Sequence, residues 1–318
     1  MKKEARLILD DGTVFCGWSF GAETNTVGEV VFNTAMMGYP ESLTDPSYAG
    51  QILVTTFPLI GNYGVPDTGQ GADGLPLFME SDRIHPKGLI VADYSEQYSH
   101  WNAKESLSSW LKREGIPAIS GIDTRRLTKL LREHGVMRGR ISIEHSTLNI
   151  EHCQEDYGSI NWVEKVSCKE VITYKPSNSQ LSTLNSQLKT VVLVDCGVKA
   201  NIIRCLLRRG VEVIRVPWDY DFTQLEFDGL FLANGPGDPE QCTKTVEHIR
   251  KFLETEEKKL PSIEGGDGGG SVRPLMGICL GNQLLARAAG AKTYKLKFGH
   301  RSHNQPVQQV GTTKCYIT

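Results

Sequence analysis

With 318 residues, 39% of them hydrophobic and 23% charged, the chain has the make-up of a globular protein of about two domains. A net charge of −2 without a basic block argues against nucleic acid as a partner. No apolar run approaches the ~18 residues that a membrane-spanning helix needs, so no membrane partner is expected.

Eight cysteines, at 16, 153, 168, 196, 205, 242, 279 and 315, form no C-x-x-C pair. That spacing fits reduced thiols and gives neither a disulfide framework nor a zinc site. After Lys2-Lys3 the only apolar stretch is Leu7-Ile8-Leu9, and Asp10-Asp11 follows at once. This is too short for a secretory signal, so a cytoplasmic location is expected.

The first half opens with a hairpin signal, strands at 7–10 and 13–16 around Asp11-Gly12. Further strands are predicted at 27–32, 52–57 and 89–92. A helix is predicted over 103–114, with Asn102 as cap, Gly115 as stop and Leu107, Trp110 and Leu111 inward. Another starts at Asp123, carries Leu127, Leu130 and Leu131, and ends at Gly135. Residues 1–150 therefore read as one mixed, β-rich α/β domain. Gly17-Trp18-Ser19-Phe20-Gly21 matches a serine-hydrolase elbow as a string, but polar turn residues follow it and no helix does. It reads as a strand end. Asp45-Pro46-Ser47-Tyr48 is a turn leading into a strand.

Residues 151–188 lose periodicity, and Ser177-Asn178-Ser179-Gln180 is turn-rich, so this span reads as a linker. Residues 189–318 then alternate strand and helix. Strands are expected at 190–194, 211–216, 230–233 and 274–278, and helices at 199–209 and 241–254. The pattern implies a doubly wound, mostly parallel sheet with its sites at the carboxyl ends of the strands. The glycine-rich stretch 264–271 reads as a surface insertion. His300 and His303 have metal-like spacing, but no carboxylate or cysteine completes a site, so no metal is expected.

Two stretches carry chemistry. Pro274-Leu275-Met276-Gly277-Ile278-Cys279-Leu280-Gly281-Asn282-Gln283 reads as strand, sharp turn and helix, with Cys279 at the corner. A helix N-terminus there would favour negative charge on the sulfur. Asn234-Gly235-Pro236-Gly237-Asp238-Pro239 lies at another strand end and offers glycine N–H groups to a developing oxyanion. It lacks the third glycine of a dinucleotide fingerprint, and no P-loop occurs in the chain.

These two stretches resemble those of class I (triad) glutamine amidotransferases. Gly38-Tyr39-Pro40-Glu41-Ser42-Leu43-Thr44-Asp45-Pro46-Ser47-Tyr48 narrows the likeness to the glutaminase (small) subunit of carbamoyl phosphate synthetase. Pro58-Leu59-Ile60-Gly61-Asn62-Tyr63-Gly64, Gly121-Ile122-Asp123-Thr124-Arg125 and His303-Asn304-Gln305-Pro306 agree with that narrowing. The likeness covers nearly the whole chain. Ala291-Lys292-Thr293-Tyr294-Lys295 looks most like the eukaryotic pyrimidine-pathway form, in which the glutaminase is fused to its synthetase.

The resemblance implies Cys279 as nucleophile, with Ser47, Gly235, Gly237, Leu280 and Gln283 holding L-glutamine. It implies a synthetase subunit or domain as partner, serving pyrimidine or arginine biosynthesis. No cofactor is expected in this chain, since ATP and magnesium act in the synthetase. Asn282 departs from the family's usual histidine. The family's catalytic His and Glu fall beyond Thr318, so the chain reads as a truncated and inactive piece of an amidotransferase domain. A non-catalytic glutaminase-like domain and another class I amidotransferase are the competing expectations.

Overall fold

The computed structural model describes residues 3–143, 157–176, 188–259, 271–299 and 306–317. The expected linker turn at 177–182, most of the 264–271 insertion, and His300 and His303 lie outside them. No helix among the described residues is long and apolar enough to cross a membrane.

The first half is a closed barrel. Its strands are β1 (Glu4–Leu9), β2 (Val14–Ser19), β3 (Thr26–Asn33), β4 (Gln51–Thr55), β6 (Gly88–Ile90), β8 (Ala118–Ser120) and β9 (Met137–Ile143). Around the barrel they run β1-β2-β8-β6-β4-β3-β9. The short pair β5 (Leu59–Ile60) and β7 (Asp93–Tyr94) lies outside it. Strands β3, β4, β6 and β8 pair in parallel, and the remaining barrel pairs are antiparallel. The parallel strands are buried on both faces, which is why they read as continuous apolar runs. Val30, Ile52 and Ile90 join one core with Leu127 and Leu131. Their neighbours Val31, Leu53 and Leu89 join the other, with Leu107, Trp110 and Leu111.

Three helices belong to this half: α1 (Tyr39–Leu43), α2 (Leu107–Arg113) and α3 (Thr124–His134). Asp123 caps α3 through a 2.8 Å bond from Arg126 N, as its position suggests. The cap of α2 is Ser106 and not Asn102, because residues 104 and 105 are drawn into a bridge with Val65. Lys104 N donates to Val65 O at 2.8 Å, which holds that segment extended. In the first hairpin only Gly12 has positive φ, at 84°, with Asp11 Oδ1 accepting from Thr13 N. Gly17–Ser19 closes β2, and the next element is the strand β3, not a helix.

The second half is a five-stranded sheet built from β10 (Ile172–Tyr174), β11 (Thr190–Asp195), β12 (Glu212–Pro217), β13 (Gly229–Leu232) and β14 (Leu275–Gly277). The order is β10-β12-β11-β13-β14, parallel except for β10. Helix α5 (Ala200–Leu207) packs on one face, and α6 (Thr243–Glu257) and α7 (Leu280–Ala288) pack on the other. This is a doubly wound arrangement. Part of the expected linker is therefore structured: α4 (Trp162–Val166) joins the second core through Val163, and β10 pairs with β12. Both segments are too short for periodicity to reveal. A small hairpin, β15 (Pro306–Gln308) with β16 (Cys315–Ile317), follows.

Candidate active site

Cys279 stands where β14 turns into α7, as its N-cap, with φ 53° and ψ −114°. Among the described residues it is the one non-glycine with positive φ. Such strain persists only where neighbours enforce it. Here Ile278 N donates to Leu232 O at 3.0 Å. A Cβ on Gly281 would lie 2.2 Å from that same carbonyl, so α7 sits directly on the end of β13. Gly277 is equally confined, 2.7 Å from Asn282 N. The thiol is left exposed at the tip of the turn.

The tip opens into a cleft of about 1730 Å³ between barrel and sheet. All the residues singled out from sequence line it: Ser47, Gly235, Gly237, Cys279, Leu280 and Gln283. Leu280 is 2% exposed and its side chain belongs to the core, so only its backbone is available to the cleft. Asn282 is exposed on α7 and lies off the cleft wall. The departure there does not alter the lining.

The loop after β13 is held from behind. Gly235 leaves no room for a side chain, since a Cβ would meet Cys196 O at 2.0 Å. Asn234, 3% exposed, donates Nδ2 to Gly197 O at 2.9 Å and accepts from Lys199 N at 3.2 Å. The same Nδ2 donates to Ser47 Oγ at 3.1 Å. Asp45 Oδ1 accepts from Ser47 N at 2.9 Å, which shapes the turn that brings Ser47 across from the barrel.

Lys199 completes this junction and was not singled out from sequence. It precedes α5, lines the cleft, and pairs with Asp45 at 2.7 Å. Burial works to lower its pKa, but Asp45 first, then Glu80 and Cys279, outweigh this and raise it. Lys199 and Cys279 line the same cleft. The only sequence signal was its place at a strand end, two residues past Gly197. Glu29 and Lys295 also line the cleft, paired at 2.7 Å, and so do Gln51 and His100. Among the described residues no hydrogen bond joins a histidine to Cys279, and no cluster of three metal-ligating side chains occurs.

Comparison with known proteins settles the family. The profile for "Carbamoyl-phosphate synthase small chain, CPSase domain" matches residues 7–141, and that for "Glutamine amidotransferase class-I" matches 192–318. The chain carries a carbamoyl-phosphate synthase small-chain domain followed by a class I glutamine amidotransferase domain. It is 46% identical to the carbamoyl phosphate synthase arginine-specific small chain of Phaeosphaeria nodorum, over 99% of this chain and 62% of that one. It is also 46% identical to the multifunctional protein CAD of Squalus acanthias, over 99% of this chain and 13% of that protein. With the multifunctional protein pyr-3 of Neurospora crassa the identity is again 46%, over 98% and 17%. The chain thus spans less than two thirds of these relatives. In small-chain terms, the barrel is the CPSase domain and the five-stranded sheet belongs to the amidotransferase domain.

Proposed function

We propose that this chain is the glutaminase part of a carbamoyl phosphate synthetase, with Cys279 as its nucleophile. The observation that carries the reading is the strained, exposed Cys279 at the floor of a cleft shared with Ser47 and the Gly235–Gly237 loop. The names of the relatives support the same reading.

The Cys279 thiolate attacks the γ-carboxamide carbon of glutamine and forms a tetrahedral intermediate. Its oxyanion is met by the Leu280 N–H, which has no intrahelical acceptor at the first position of α7, and by the N–H groups of the Gly235–Gly237 loop. One such donor is typically worth about 3–4 kcal/mol. Collapse expels ammonia, which takes up a proton as it leaves, and water hydrolyses the glutamyl thioester to glutamate. Ser47 and Gln283 hold the substrate. Ammonia then passes to the synthetase, which makes carbamoyl phosphate from bicarbonate and ATP, for pyrimidine or arginine biosynthesis.

Cys279→Ser in the complete protein with its synthetase tests this. Glutamine-dependent synthesis should vanish and ammonia-dependent synthesis should remain. Glutaminase activity near wild type in the variant overturns the assignment.

A further inference from the structure

Glu80 touches both halves of the site and belongs to neither core. Its N–H donates to Thr44 Oγ1 at 3.0 Å, and the adjacent Ser81 Oγ donates to Thr44 O at 2.6 Å. Thr44 closes α1 and directly precedes the Asp45–Ser47 turn. On its other side, Glu80 O accepts from Ala200 N at 2.8 Å and Glu80 Oε2 accepts from Asn201 N at 3.0 Å. These are the first two N–H groups of α5. The residue that precedes α5, Lys199, offers no side-chain cap.

A helix start without a local acceptor must be satisfied from elsewhere. Here the acceptor comes from the barrel, 120 positions earlier in the chain than Ala200. A carboxylate at that end is also favoured by the helix dipole. One turn further on, Arg204 donates to Met79 O at 2.8 Å and to Pro76 O, so the segment is fastened along α5. The two elements joined in this way carry Ser47 on one side and Lys199 on the other. Glu80 also favours the charged form of Lys199, after Asp45.

We propose that Glu80 is a positioning residue, a helix cap supplied across the domain boundary that fixes the Ser47 turn against the amidotransferase domain carrying Cys279. It acts on glutamine only through Ser47. The inference rests on the glutaminase reading above.

In the complete protein with its synthetase, Glu80→Ala should raise KM for glutamine about tenfold with little change in kcat. Ammonia-dependent synthesis should stay at the wild-type level. Glu80→Gln keeps an acceptor for Asn201 N and should restore most of the affinity, which loss of fold alone would not predict. Residues that act through one hydrogen-bond network couple non-additively, so Glu80→Ala placed on Ser47→Ala should raise KM little further. An unchanged KM in Glu80→Ala, no rescue by Glu80→Gln, or fully additive effects with Ser47→Ala would each overturn the proposal. Cys279→Ser measured alongside separates the two readings. If it leaves glutamine-dependent synthesis intact, the glutaminase reading fails; if it abolishes that synthesis while Glu80→Ala leaves KM alone, only this inference falls.

Discussion

Asn234 and Ser47 are 187 residues apart in sequence, yet the Asn234 amide donates to the Ser47 hydroxyl at 3.1 Å. The bond aims a barrel side chain into the cleft beside Cys279. Ser47→Ala is therefore expected to raise KM for glutamine. Loss of a hydrogen bond to a charged group is worth about 1.5–3 kcal/mol, a factor of at least ten. Steady-state kinetics on the complete protein decides it, and an unchanged KM in a folded variant removes Ser47 from substrate binding.

Cys279 holds a backbone conformation that glycine adopts without strain. Left-handed non-glycine residues cost about 1–3 kcal/mol, and glycine gives back about 0.5–1 kcal/mol through the freer unfolded chain. Cys279→Gly should thus be inactive and about 1 kcal/mol more stable than Cys279→Ser, which keeps the strain. Denaturant unfolding of the two variants is the measurement. Equal midpoints would mean that the turn stores no strain.

Gly281→Ala tests the contact that forces the turn. The added Cβ would lie 2.2 Å from Leu232 O, a backbone atom that cannot step aside cheaply. Overpacking of this kind typically costs about 1–3 kcal/mol. A thermal shift of several degrees is expected, together with loss of glutamine-dependent activity. Retention of both would show that α7 has room to move.

Glu256 gives a pH dependence away from the site. Burial alone would raise its pKa, but hydrogen bonds from Lys259 and Arg273 outweigh this and bring it to about 2. A depressed carboxylate pKa contributes stability that is fully present above the unfolded value of 4.5 and is lost as pH falls through about 2. Arg273 also lies over the rings of Phe227 and Phe252, so the pair ties α6 to the approach to β14. Glu256→Gln should flatten the loss of stability between pH 4.5 and pH 2. The same acid slope in both proteins would count against the pair.

Short-range signals were legible. Gly277-x-Cys279-x-Gly281 gave the elbow because backbone contacts at both glycines exclude a Cβ. Periodicity gave α3 and α5 because an amphipathic helix repeats its buried face locally. The cap of α2 was misread because Asn102 is an acceptable cap taken alone. The competing partner of that segment, Val65, lies nearly forty residues away.

The sequence by itself determined the alternation of strand and helix after residue 189, the corner at Cys279 and the family resemblance, since each depends on neighbours along the chain. Tertiary structure decided that the first half closes into a barrel. The closing strand, β9, pairs with β1 across more than a hundred residues. It also decided that Asp45 meets Lys199, Ser47 meets Asn234 and Glu80 caps α5. Residues so far apart leave no periodicity or turn signal in common, and only the packing of barrel against sheet brings their charges and hydrogen-bonding groups within reach.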